Sequence, residues 1–316
     1  MNREPWLTII VPVYNRFELL PRTLDSVFAQ GAKNVEVIIS DDGSTENIKP
    51  IVGQYSTPGN ILRLVRSQSN KGVSAARNNG AKAARGKWLY FLDSDDELVP
   101  GSLQKIEAAT RGLDVNLVYF YALSLSENGE SQFFNSQILP DPLDKAEVLT
   151  TESRPFTQSQ LVLRADSFHE VGKFDEQLPV VEDLELWLRM IIHDFKVVQI
   201  KNVLVKKHDG HGKSLSSNYR QIYQNLRRVW AMHGATLKRL LDSEHYRRWK
   251  FAQFELLYWM LCVNREMASR LPGIGSTVYL CFKWAILVID PPYGRRKDAA
   301  RHLIETMKTL TNGSQL

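Results

Sequence analysis

The chain has 316 residues, 43% hydrophobic and 24% charged, with 18 Gly and 13 Pro, a composition that excludes collagen-like, coiled-coil and largely disordered classes. Its charge is uneven: residues 1–216 carry 24 Lys+Arg against 28 Asp+Glu, whereas residues 217–316 carry 16 against 7 and hold four of the seven Trp. A body over residues 1–216 and a basic, aromatic-rich, mainly helical C-terminal region over 217–316 are therefore expected.

Trp6–Val13 is a continuous apolar, β-branched run, the mark of a strand covered on both faces. Leu19, Leu20, Leu24, Val27 and Phe28 then recur at helical spacing, with Gly31 as a stop. Val35–Ser40 reads as the second strand, Glu46–Tyr55 as a helix and Ile61–Val65 as the third strand. An alanine-rich helix follows over Val73–Ala84, then a fourth strand over Lys87–Leu92. Strands separated by helices imply parallel βαβ units and a doubly wound sheet, which binds ligands beyond the carboxyl ends of its strands. Three polar clusters follow predicted strands: Tyr14-Asn15, Asp41-Asp42 and Asp93-Ser94-Asp95-Asp96. All three are expected along one edge of the sheet.

Beyond residue 110 the pattern is mixed. Val115–Leu125, Gln158–Arg164 and Lys196–Val205 read as strands, Glu127–Pro142 as a polar loop and Glu182–Ile192 as a helix.

Asp93 and Asp95, two residues apart after a strand, can converge on a hard divalent cation, and three crowded acids would repel without one. The alternative is a solvated acidic turn. A carboxylate at Asp41-Asp42 can accept a hydrogen bond from a uracil imide, or merely form a turn. The Arg77 fork suits phosphate or carboxylate, or a structural ion pair. Glu182 and Asp183 open a helix, where acids complement the helix dipole or supply a general base. His208 and His211 lie in a Gly-rich loop, KKHDGHGKSLS, where either could complete a metal site or meet a phosphate.

Read in order, IIVPVYNR, VEVIISDDGS, NKGVSAARNNG, GKWLYFLDSDDEL, VGKFDE, EDLELWLR and GHGKSLS resemble glycosyltransferase family 2, the nucleotide-sugar-dependent transferases of the GT-A fold. These segments span residues 6–216 and leave the last hundred uncovered. The resemblance implies an α/β fold with a Rossmann-like, mostly parallel central sheet and flanking helices. It implies that Pro12, Tyr14, Asn15, Asp41 and Asp42 cradle the nucleotide, with Arg77, Asp93 and Ser94 near the donor. Asp93 and Asp95, with His211 from the late loop, would hold Mn2+ or Mg2+. Asp183 would be the general base, supported by Glu182. Trp187, His208 and Asp96 would lie near acceptor or phosphate. The expected reaction is inverting transfer of one sugar from a nucleotide-sugar, by frequency a UDP-sugar, to a glycan or lipid-linked acceptor in bacterial surface-polysaccharide assembly. The Gln-x-x-Arg-Trp signature of processive members is not found. A non-catalytic sugar-nucleotide-binding protein of the same fold is the alternative.

Two cysteines, Cys262 and Cys281, cannot build a disulfide framework, and MNREPWLTIIVPVYN lacks a signal-peptide pattern, so a cytoplasmic protein is expected. The apolar runs 251–263 and 274–289 are interrupted by Glu255 and Lys283 and fall short of a membrane span. They suit either an interfacial contact with anionic membrane or a packed helical subdomain. No nucleic-acid partner is expected: zinc spacing and RNA-recognition motifs are missing, and acidic strand ends repel phosphate.

Overall fold

A computed structural model describes residues 4–125, 131–134, 157–208, 219–247 and 249. The strands are β1 (Leu7–Val13), β2 (Val35–Asp41), β3 (Ile61–Arg66), β4 (Trp88–Phe91), β5 (Glu97–Leu98), β6 (Leu117–Leu125), β7 (Ser131–Phe134), β8 (Leu161–Arg164) and β9 (Val197–His208). The helices are α1 (Leu20–Phe28), α2 (Lys49–Tyr55), α3 (Val73–Ala83), α4 (Ser102–Thr110), α5 (Ala165–Glu170), α6 (Glu182–Ile192) and α7 (Tyr219–Leu240). Among the described residues all nine strands join one sheet in the order β3-β2-β1-β4-β8-β6-β9-β5, with β7 paired to β6.

The first four strands are parallel, as the alternation with helices requires. Every residue of β1 is buried, because helices and loops cover both faces of this strand. Helix α3 packs on β1 and β2 through its small residues. Gly80 is what allows the approach: a Cβ there would lie 2.4 Å from Ile10 Cγ2.

The second half of the sheet adds antiparallel pairs to this parallel half. Strand β8 runs antiparallel to both β4 and β6, and β5 runs antiparallel to β9, while β6 and β9 are parallel. Strand β7 lies inside the segment expected to be a polar loop, where it forms an antiparallel pair with β6. A short connection returns the chain against its own strand, whereas a parallel partner needs a crossover. The sheet is thus mixed, with helices packed on it.

Parallel register brings the carboxyl ends of β1, β2 and β4 to one edge: Val13 lies opposite Asp41, and Ile10 opposite Phe91. The three polar clusters follow there, as expected. The two-residue strand β5 then pairs Glu97 with Lys206 of β9 and so carries the acidic segment against the end of that strand.

The chain divides into two compact units, Met1–Lys145 with Arg154–His233, and Ala146–Ser153 with Gly234–Leu316. The expected boundary near 217 lies outside the described residues, and the first unit extends to His233. Within that unit α7 buries Ile222, Leu226 and Val229 at helical spacing. In the second unit, Tyr246 stacks on the buried Trp249 at 5.6 Å between ring centroids. The apolar runs 251–263 and 274–289 lie outside the described residues. Among the described residues no helix is long and apolar enough to cross a membrane.

Candidate active site

The acidic segment after β4 is held by cations from three parts of the chain. Arg77 of α3, 4% exposed, donates to Asp93 Oδ1 at 2.8 Å. Lys207 Nζ, near the end of β9, lies 2.7 Å from Asp96 Oδ2 and 3.8 Å from Asp93 Oδ2. Arg16, in the loop after β1, pairs with Asp95 Oδ2 at 2.9 Å. The mutual repulsion expected among these carboxylates is therefore met by three side-chain cations. Burial alone would raise the Asp93 carboxyl, but the charges of Arg77 and Lys207 outweigh it and hold the group below its ordinary value. Asp96 is the opposite case: burial, together with Asp93 and Asp95, outweighs Lys207 and lifts it to about 6. The segment is also anchored through its backbone, since Thr23 Oγ1 donates to the carbonyl of the buried Ser94 and Arg22 Nη2 to that of Asp95, both at 2.9 Å.

Arg77 has a second partner, donating to Glu182 Oε1 at 2.6 Å. Its guanidinium lies 5.3 Å from the Phe174 ring centroid, a cation–π contact that fixes the plane of the fork. One buried arginine thus joins the acidic segment to the first turn of α6, which carries Glu182 and Asp183. Burial and the neighbouring Asp183 raise the Glu182 carboxyl despite Arg77. Asp183 is only partly buried. The preceding residue, Val181, has φ 62°, a left-handed conformation that a β-branched residue rarely adopts. Such strain persists where surrounding contacts over-determine the backbone.

Those contacts come from the same helix turn. Glu185, 1% exposed, receives Nε of Arg189 at 2.7 Å, its Nη2 at 2.6 Å and His233 Nε2 at 2.9 Å. Burial would raise this carboxyl, but the bonds from His233 and Arg189 hold it below its ordinary value. Arg189 also donates to the carbonyls of Val171 and Lys173, fixing the turn that leads to Phe174. Asn78 of α3 closes the loop by bonding both the N–H and the carbonyl of Phe174.

At the ends of β1 and β2 the clusters are braced by local bonds. Asp42 is 3% exposed and accepts backbone N–H groups from Lys71 at 3.0 Å and Gly72 at 2.7 Å, so its carboxylate holds the entry to α3. Burial raises its pKa. Asp41 Oδ1 accepts the Ser44 N–H at 2.9 Å, and Arg66 lies 3.4 Å from its Oδ2. Gly43 at φ 75° sits where a Cβ would lie 2.7 Å from the Ser69 carbonyl carbon, so no side chain fits this turn. Asn15, at φ 48°, accepts the Thr45 N–H and donates its own N–H to Ser44. Pro12 is buried in β1, while Tyr14 is 41% exposed at the strand's end.

The profile described as "Glycosyl transferase family 2" matches residues 8–170, more than half of the chain and the part that carries the acidic segment, Arg77 and the polar clusters after β1 and β2. The chain belongs to glycosyltransferase family 2. It is 30% identical over 187 residues to an uncharacterized glycosyltransferase of Haemophilus influenzae, covering 58% of this chain and 62% of that protein. It is 22% identical over 272 residues to the uncharacterized glycosyltransferase MJ1057 of Methanocaldococcus jannaschii, covering 82% and 89% of the two chains. The chain spans 62%, 29% and 36% of the first three curated relatives, less than two thirds of each. In fold it is similar to S. aureus TarS 1-349 in complex with UDP-GlcNAc, with a TM-score of 0.62 and 19% identity over 81% of this chain and 71% of that one. It is also similar to the mannosyltransferase PcManGT of Pyrobaculum calidifontis in complex with GDP-Man and Mn2+, with a TM-score of 0.57 and 17% identity over 96% and 86%. The mixed α/β sheet with flanking helices is therefore the GT-A fold of the family.

Against the family's expected site, the structure brings together Arg77, Asp93, Asp95, Asp96, Glu182 and Asp183. Two expectations are corrected. Trp187 is among the largest fully buried side chains, on the apolar side of α6, so it packs the core and offers no surface to an acceptor. His208 is the last residue of β9, not part of a loop, and its Nε2 donates to Glu97 Oε1 at 2.6 Å. His211 lies outside the described residues. Among the described residues no three His, Cys, Asp or Glu side chains gather as a metal cage. Sequence reasoning missed Lys207, Arg16, Glu185 and His233. Lys207 carried one faint signal, a lysine near the end of a strand, shortly after the buried pair Leu204 and Val205.

Proposed function

We propose that the protein is an inverting, metal-dependent glycosyltransferase that moves one sugar from a UDP-sugar to a hydroxyl of a glycan or lipid-linked acceptor. The observation that carries this reading is the Arg77 bridge: a buried cation 2.8 Å from Asp93 and 2.6 Å from Glu182 ties the donor-side acids to the helix start that bears Asp183. Donor and acceptor chemistry need such a fixed spacing.

Asp183 takes the proton of the acceptor hydroxyl as it attacks the anomeric carbon from the face opposite the leaving diphosphate. A single displacement inverts that carbon, so no nucleophilic side chain is required. Glu182, held by Arg77, orients the turn and keeps negative charge beside Asp183. Asp41, Asp42, Asn15 and Tyr14 border the place for the nucleotide base, with Tyr14 offering its ring.

Asp93 and Asp95 fit a hard divalent ion: they are oxygen donors on one segment, and Mg2+ or Mn2+ takes one or two carboxylates and fills its shell with phosphate and water. Held by Asp93 and Asp95, with His211 as a further ligand, such an ion would offset the charge developing on the diphosphate. The PcManGT complex with Mn2+ supports this by fold.

In this reading residues 1–216 form the catalytic domain. The basic region 217–316 rests on anionic lipid at the inner face of the cytoplasmic membrane, where surface polysaccharide is assembled. Sedimentation with anionic but not neutral liposomes tests the membrane contact; recovery in the supernatant with both refutes it. Asp183→Asn tests the chemistry. Transfer should fall by at least about 100-fold, the scale of a lost general base, with UDP affinity unchanged. A parallel loss of UDP affinity would remove Asp183 from that role.

A further inference from the structure

We infer that Arg16 is a placeholder cation on Asp95, released when a divalent ion and a nucleoside diphosphate enter together; this rests on the reading of Asp95 as a metal ligand. Arg16 Nη1 lies 2.9 Å from Asp95 Oδ2, on the carboxylate that a metal would bind. A guanidinium and a divalent ion repel each other and compete for the same carboxylate, so a metal there weakens the hold of Arg16 on Asp95.

The surroundings make Arg16 the residue that moves. Its side chain is 34% exposed and, among the described residues, Asp95 is its one ion-pair partner. The neighbouring Arg22 is fixed differently, donating to the Asp95 carbonyl at 2.9 Å and lying 3.2 Å from Glu97 Oε1, which His208 also binds. The backbone just before Arg16 is pinned: Asn15 N–H donates to Ser44 Oγ, and Thr45 donates its N–H and hydroxyl to Asn15 Oδ1. Arg16 therefore sits on a fixed base between the Asp41–Thr45 turn, which borders the nucleotide, and Asp95. A diphosphate joining those two places passes this side chain and offers the anion that the displaced guanidinium needs.

Metal and nucleotide then bind with positive coupling: the metal frees Arg16 for the diphosphate, and the diphosphate draws Arg16 off Asp95. Mn2+ binds weakly alone and more tightly with UDP present. The test is Mn2+ affinity, read from the electron paramagnetic resonance of free Mn2+, with and without saturating UDP. It is run on the wild type and on Arg16→Gln, Arg22→Gln and Asp95→Asn. Arg16→Gln should tighten Mn2+ binding without nucleotide by about two- to fivefold, the range of a partly exposed ion pair, and should shrink the gain that UDP confers. Arg22→Gln removes the same charge close by and should tighten it less.

Equal tightening in the two variants would show a general field effect and overturn the inference, as would unchanged Mn2+ affinity in Arg16→Gln. Asp95→Asn separates the two levels. If it abolishes Mn2+ binding while Arg16→Gln matches the wild type, only the role of Arg16 fails. If Mn2+ still binds to Asp95→Asn, the ligand reading fails and the inference with it. Absence of Mn2+ binding from both the wild type and Arg16→Gln, with or without UDP, overturns both.

Discussion

Arg77→Met removes the cation that joins two elements while keeping much of the side-chain volume. Arg77 is 4% exposed and holds Asp93 Oδ1 at 2.8 Å and Glu182 Oε1 at 2.6 Å. Removing one partner of a buried ion pair typically costs about 3–5 kcal/mol, because the other charge is left uncompensated. The Asp93 side chain is 27% exposed and keeps Lys207 at 3.8 Å, so its share is discounted; the Glu182 side chain, 11% exposed, dominates. The expected loss is about 4 kcal/mol, or a fall in melting temperature of roughly 8–16 °C at the 2–4 °C per kcal/mol of a domain this size. Arg77→Lys should fall between the two, since an ammonium cannot span both carboxylates.

The loss should also depend on pH. In the wild type the folded pKa of Asp93 is lowered, so its contribution is present above the unfolded value near 3.9 and is lost as pH falls through the folded value. Without Arg77, Glu182, which burial and Asp183 already raise in the folded protein, loses a lowering charge and titrates higher still. The variant therefore regains stability as pH falls from 7 to 5, and the gap to the wild type narrows. Urea unfolding at pH 5, 6 and 7 measures this. A methionine variant that melts within about 2 °C of the wild type, with a gap independent of pH, would refute the bridge as a structural determinant.

Asp96→Asn should flatten the pH dependence of stability: with a folded pKa of about 6, Asp96 binds its proton more tightly folded than unfolded, so its contribution declines as pH rises from about 4 to about 6. Unfolding midpoints across that window read the slope, and an unaltered slope in the variant would contradict the assignment. Gly80→Ala places a Cβ 2.4 Å from Ile10 Cγ2 and should cost about 1–3 kcal/mol as α3 is pushed off β1; a neutral result in thermal melts would mean that the helix shifts freely. His233→Ala removes one donor to the buried Glu185 and should lower the turnover number more than the affinity for UDP, because Asp183 begins the same helix turn. His233→Gln, which retains a donor, should restore part of the rate, and a failure of both substitutions to affect turnover would assign α7 a purely structural role.

Strands β1 to β4, helix α6 and the single edge that gathers Asp41, Asp42 and Asp93–Asp96 were legible from the chain alone. Continuous apolar runs mark buried strands, and crossover helices force them parallel, so polar residues after each strand must share an edge. The acids of the site were visible for the same reason: each lies next to a periodic element whose end can be read locally. Their partners were not. Lys207 meets Asp96 across 111 residues and Arg77 meets Glu182 across 105, and no local pattern encodes either pairing. The first depends on β5 running antiparallel to β9, which sets Glu97 against Lys206 and leaves Lys207 beside the acidic segment. The second depends on α3 lying close on β1, where only a glycine at position 80 fits. The family resemblance set Trp187 near an acceptor and the Gly-rich stretch set His208 in a loop, while helix facing buries one in the core and strand length carries the other to Glu97. Local periodicity determined where the carboxylates stand, and long-range register decided which cation neutralises each of them.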